Sequence, residues 1–233
     1  LKFPSVVQEM TFSGNERTSG TVAVSPDWNL IGTLSSPVSS TSITSVPSDI
    51  ISGSFFGYNR GYNIADTLEP YKGYWVNVTQ DGILYLDATS SFNKQVAREN
   101  YFDKLNSVTI EDAQGNKQTL YFSMLDKFAN LSYNYELPPP PPTGIFDARF
   151  ASNKFVEFSE NGKFKKIPIQ ISSAEYPLTI YWEVKENLNI ATLTVDDLKI
   201  DLRKNGNAHI PHQASHISLK FDGAKNLPKE FSL

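Results

Sequence analysis

Beyond Gly144 the chain is cut into short apolar or alternating segments at nearly regular intervals, and this spacing limits its fold more than any other feature. The segments are 146–150, 155–158, 164–171, 178–184, 191–193, 198–202, 208–210 and 217–221. Turn signals separate them at Asn161-Gly162, at 185–187 and at Asn205-Gly206. Many short strands at such spacing read as a β-sandwich. In the fourth segment Leu178, Ile180, Trp182 and Val184 alternate with polar neighbours, so they share one face and are expected in the core.

The first part of the chain carries the same signature. Between 21 and 86, Val22 and Val24 alternate with polar residues, and a short apolar run follows at 27–32. Residues 35–48 are rich in Ser, Thr and Pro and read as loop. Phe55-Phe56-Gly57-Tyr58 and Tyr62-Asn63-Ile64 flank the turn Asn59-Arg60-Gly61. Segments 74–78 and 83–86 close the block around the turn at 80–82. A further hairpin is expected from Val108-Thr109-Ile110, the turn at 114–116 and 118–122. Helical candidates are confined to 91–98 and 194–198, the second with Thr194 ahead of Asp196-Asp197 in a first turn. The fold class is all-β, with two β-sandwich-like modules.

Five consecutive prolines at 138–142 exclude both a helix and a central strand there. Taken alone, such a run reads as an interdomain linker. A chain of 233 residues without cysteine buries enough surface to fold unaided, and disulfides, thiolate metal sites and cysteine nucleophiles are excluded. A net charge of −4 without a basic stripe argues against nucleic acid as a partner. No apolar run is long enough for a membrane-spanning helix.

One ordered set of motifs carries a family resemblance. Trp28-Asn29-Leu30-Ile31-Gly32, then Phe55-Phe56-Gly57-Tyr58, then Asp66-Thr67-Leu68-Glu69-Pro70 and Lys72-Gly73-Tyr74-Trp75-Val76 resemble the "WNLIG…FFGY…GKGYWV" module of large proteins exported by type IX secretion in Bacteroidetes and Ignavibacteria. Tyr71 stands where that module usually has glycine. The resemblance implies an extracellular or cell-surface location and a place just ahead of a sorting domain. The ending Pro228-Lys229-Glu230-Phe231-Ser232-Leu233 resembles the junction before that domain. The start, Leu1-Lys2-Phe3, resembles the end of a preceding repeat, so residues 1–14 are expected to pair as strands. Residues 136–150 resemble "ELPPxPPxGxFDARF", which lies inside one domain of such proteins, so the proline run is expected to be a rigid crossover. The division is then 1–14 for the partial repeat, 15–98 for the first module and 99–233 for a sandwich containing the crossover.

Candidate chemistry is sparse. His209, His212 and His216 have a metal-like spacing, but Pro211 interrupts them, no carboxylate is fixed nearby by a motif, and a surface loop is the better reading. Glu111-Asp112 and Asp196-Asp197 are neighbours in turns, not carboxylates facing each other across a cleft, and read as solvated. No nucleophile elbow or phosphate-binding loop is present. Tyr58, Tyr62, Tyr71, Tyr74 and Trp75 crowd one module and could stack on sugars, against the alternative that they fill a β core. Asn77 and Asn130 head N-glycosylation sequons, and Thr67 lies in a short O-glycosylation-like motif of exported proteins. The expected protein is a non-catalytic stalk, adhesive or assembly module without cofactors. Its expected partners are other surface proteins, copies of itself joined by strand addition, or glycans. The alternatives are the accessory region of a secreted hydrolase and a carbohydrate-binding module built on the tyrosines.

Overall fold

Consecutive apolar residues in a strand point to opposite faces, so a doublet such as Phe55-Phe56 requires apolar surroundings on both sides of its sheet. That requirement organises the whole molecule. The computed structural model describes residues 14–89, 101–123, 134–159, 163–185 and 188–222. The chain is all-β and sandwich-like.

The first module contains β1 (Ser19–Val24), β2 (Asp27–Gly32), β3 (Val38–Ser39), β4 (Thr44–Val46), β5 (Ile51–Tyr58), β6 (Tyr62–Ile64), β7 (Thr67–Leu68), β8 (Gly73–Val78) and β9 (Gly82–Asp87). One sheet has the order β1-β9-β4, a second β2-β8-β5-β6, and β3 pairs with β7. Val24, Ile31, Phe55, Tyr74, Val76, Val78, Leu84 and Leu86 form the core between them. Residues 35–48, expected as loop, contain β3, a single 3-10 turn and β4. Val38 and Ile43 are buried there, and two apolar anchors suffice to draw a Ser/Thr-rich segment onto the sheets.

The second module contains β10 (Asn106–Glu111), β11 (Lys117–Ser123), β12 (Asp147–Phe150), β13 (Val156–Phe158), β14 (Phe164–Ser172), β15 (Leu178–Glu183), β16 (Ala191–Val195), β17 (Leu198–Asp201), β18 (Gly206–Ile210) and β19 (Ile217–Asp222). Two five-stranded sheets, β13-β11-β10-β15-β18 and β12-β14-β19-β16-β17, face each other. Val108, Ile110, Leu120 and Phe122 meet Ile167, Ile169, Leu193, Leu219 and Phe221 between them. The 194–198 helix candidate is instead the β16–β17 hairpin, with Val195 opposite Leu198. Asp196 takes a positive φ of 49°, and its carboxylate accepts the Ser215 and His216 amides, so the acidic pair serves a turn and not a helix start. Asp196 and Asp197 are exposed, as expected of solvated turn residues, but Asp112 is not solvated. It is buried and accepts hydrogen bonds from the Gln114 and Asn116 amides, the Asn116 side chain and the Glu175 amide. The 91–98 helix candidate, the expected strands in residues 1–13, Asn130 and the Asn161-Gly162 turn lie outside the described residues.

Trp182 is buried on the face expected from its alternation, and its indole Nε1 donates to the Lys204 carbonyl at 2.6 Å. Its ring covers Gly206, where an added Cβ would lie 2.7 Å from the ring. Trp182→Ala is expected to lower unfolding stability by about 3–5 kcal/mol, measured by urea denaturation. A near-neutral change would remove Trp182 from the core.

Candidate functional site

Most of the tyrosine-rich block faces inward. On β5 and β6, Phe56, Tyr58, Tyr62 and Ile64 share the face of the sheet opposite the first core, since Phe56 pairs with Ile64 and Tyr58 with Tyr62. Trp75 joins them across from Phe56. This face is apolar and packs on the second module. Phe56 meets Phe155 edge-on at 5.4 Å between ring centres and Trp28 at 5.9 Å. Phe155 in turn touches Phe102, Tyr121 and Tyr135.

Polar contacts fix the register of this junction. The Lys117 amide donates to the Arg60 carbonyl at 2.7 Å. The Gln118 carboxamide accepts from the Tyr62 amide at 2.9 Å and donates to the Tyr62 carbonyl at 3.1 Å, as an added strand would. Gly61 fits there because it lacks a side chain: a Cβ would lie 2.0 Å from the Lys117 carbonyl oxygen. The Tyr58 hydroxyl donates to the Phe146 carbonyl and the Tyr62 hydroxyl to the Pro139 carbonyl, each at 2.6 Å.

The proline run lies in the same junction. Arg149, 2% exposed, holds the Asp147 carboxylate with two nitrogens and donates a third hydrogen bond to the Pro138 carbonyl at 3.0 Å. Both side chains alternate with the core residues Ala148 and Phe150, so they stand on the far face of β12, where the prolines cover them. Leu137 and Phe155 exchange backbone contacts with the 153–135 region, through Leu137 to Asn153 and Phe155 to Tyr135. The run therefore braces the sandwich and does not link separate bodies.

These positions decide the geometry of the sugar-platform residues. Tyr62 is buried in the junction and Tyr74 in the first core, where the Tyr74 hydroxyl accepts the Glu69 amide. Neither offers a ring face to a ligand. Tyr58 packs edge-on against Tyr62 at 5.3 Å and is 39% exposed. Tyr71 is 98% exposed on the β7–β8 turn, where it takes a left-handed φ of 62°. The four tyrosines thus form no shared surface. Thr67 is half-buried in β7 opposite Ser39. Asn77 is buried in β8, which closes that sequon to a glycan.

His209 lies in β18 opposite Thr179, while His212 and His216 lie beyond it in the connection to β19. Among the described residues no three His, Cys, Asp or Glu side chains gather closely enough to hold a metal. His216 instead lines a cleft of about 720 Å³ on the outer face of β14 and β19. Lys166, Pro168, Gln170 and Ser218 belong to its floor, and Tyr176 and Gln213 to its wall. The wall is pinned: the Ala214 amide donates to the Tyr176 hydroxyl at 3.3 Å, and Asp196 holds the amides of Ser215 and His216. Sequence reasoning missed this cleft, because its residues are ordinary exposed positions of two strands and a loop. It also missed Gln118, although that residue is a polar break on the buried face of Leu120 and Phe122, and Arg149, which holds an ordinary polar position in the alternation of β12.

Burial pushes the Tyr58 hydroxyl up to about 12, with the Asp147 and Asp112 carboxylates adding to the effect. Burial likewise pushes Tyr62 up to about 12, opposed by Arg149 and reinforced by Asp147 and Tyr58. Both remain donors well above neutrality. A raised folded-state value means that their contribution is whole below about pH 10, where the unfolded tyrosine titrates, and is lost as pH climbs toward 12. Tyr62→Phe should cost about 1–3 kcal/mol at neutral pH by leaving the Pro139 carbonyl unpaired. Tyr58→Phe combined with Tyr62→Phe should flatten the alkaline decline of the urea midpoint. A decline as steep as that of the parent chain would dissociate these hydroxyls from it.

No protein-family model, curated protein or solved structure matches the chain.

Proposed function

We propose that this chain is a non-catalytic module of a secreted, cell-surface-associated bacterial protein, serving as a stiff stalk or assembly unit. The observation that carries the proposal is the junction itself. One sheet of the first module is apolar on both faces, and its β5–β6 hairpin is held in the flank of the second sandwich by backbone hydrogen bonds, tyrosine hydroxyls and aromatic contacts. Two modules joined in this way transmit force or spacing as one body, whereas a flexible linker does not. The motif resemblance supports export, and its residues have structural duties that suit a scaffold. Asn29 closes the β1–β2 turn through Ser25 and Asp27, and Gly57 makes room for the Tyr74 ring. For assembly by strand addition, β18 ends its sheet with five residues that carry no carboxylate, lysine or arginine. Among the described residues no helix is long and apolar enough to cross a membrane.

Two measurements test the proposal. Antibodies against the chain should label intact cells of the source organism, and signal only after permeabilisation would overturn the surface assignment. Gly61→Ala should uncouple the modules while sparing both cores, widening the solution scattering profile and splitting one unfolding transition into two. A variant with the parent's profile and single transition would reject the stiff-junction reading.

A further inference from the structure

We infer that the cleft on the outer face of β14 and β19 is a binding site for acidic oligosaccharides of the hexuronic type. The inference stands apart from the stalk reading and uses none of the junction residues.

The charge pattern comes first. Exposed Lys166, Pro168 and Gln170 alternate with buried Ile167 and Ile169, so the outer face of β14 is polar with one flat apolar step. Lys166 lies directly opposite Lys220. Like charges in that relation destabilise a sheet, and an anion bound between them would relieve the repulsion. Lys220 sits over the Phe164 ring at 4.4 Å. Lys199 belongs to the same face, through Ser218 opposite Thr194 and Thr194 opposite Lys199. Among the described residues neither Lys166 nor Lys199 has an ion-pair partner. Of the acids nearby, Asp201 pairs with Arg203, Asp222 accepts the Ile190 amide and Asp196 holds the amides behind His216, while Glu175 and Asp197 are exposed outside the lining. The cleft lining itself contains no carboxylate. In a chain with a net charge of −4 the recess itself thus holds one lysine, Lys166, and no carboxylate, with Lys220 and Lys199 farther along the same face.

The remaining lining selects a sugar over a peptide. Both β14 and β19 are paired on each side, so the floor has no free backbone edge for an extended peptide to join. Recognition must come from side chains. Gln170, Gln213 and Ser218 offer paired donors and acceptors that match vicinal hydroxyls, while Pro168 and Tyr176 offer apolar surface to a ring. The volume of about 720 Å³ lies within the range of small-ligand sites and accommodates a few pyranose units. The pinned wall requires little ordering on binding.

The test is NMR or calorimetric titration of the intact chain with tetragalacturonate, a neutral galactose oligomer of equal length, and inorganic phosphate. Tetragalacturonate should bind with shifts confined to the cleft, and the neutral oligomer and phosphate should not. Lys166→Gln should weaken binding by at least about tenfold, as expected when a charge-assisted hydrogen bond is lost, and Gln213→Ala should weaken it further. Lys72→Gln, in the other module, should leave it unchanged. No binding at millimolar tetragalacturonate overturns the inference. So does equal binding of the neutral oligomer, equal binding of phosphate, or retention of full affinity in Lys166→Gln.

Discussion

A proline has no amide hydrogen, so a run of prolines is a row of carbonyl acceptors that cannot satisfy one another. Residues 138–142 must therefore find donors elsewhere or stay in water. Here the donors come from both halves of the molecule. Arg149 on β12 reaches the Pro138 carbonyl, and Tyr62 on β6 reaches the Pro139 carbonyl. Arg149 is buried with Asp147, and a buried ion pair is tolerable only when its remaining hydrogens are also used. The proline carbonyl meets part of that need. The brace, the ion pair and the hairpin from the first module are interdependent, and each lies where another would otherwise face solvent.

The same junction gives the ordered aromatics, glycines and asparagine along 28–76 their structural roles. Phe55 faces one core and Phe56 the other. Tyr74, Val76 and Val78 face the first core, while Trp75 packs against the second. Gly57 admits the Tyr74 ring, and Gly61 allows the hairpin tip to approach Lys117. A sheet covered on both faces has few positions free for a ligand, and packing uses Tyr62, Tyr74 and Trp75, leaving Tyr71 exposed by itself on a turn. The open polar surface lies instead on the second sandwich, over β14 and β19.

Much of this was legible in the chain itself. Period-two alternation locates nearly every strand from β10 onward, because side chains on a half-buried sheet must alternate. It also identifies Leu178, Ile180 and Trp182 as core. Where the alternation was weak, the reading failed. β3 and β4 hide in a Ser/Thr-rich segment, and the Asp196-Asp197 turn resembles a helix start because the same capping chemistry serves both. The doublet Phe55-Phe56 and the run Tyr74-Trp75-Val76 did signal a strand buried on two sides, but they do not say by what.

Local sequence determined the all-β class, the strand positions of the second module and the exclusion of helix at the prolines, since these follow from backbone geometry and side-chain period. Tertiary structure decided what pairs with what. That β8 and β9, joined by one turn, enter different sheets is set by how two cores share a strand order. The burial of Tyr62, the insertion of Gln118 as a surrogate strand and the convergence of Lys166 with His216 depend on residues far apart in the chain. Their energies arise from desolvation and long-range contact, which no local pattern encodes.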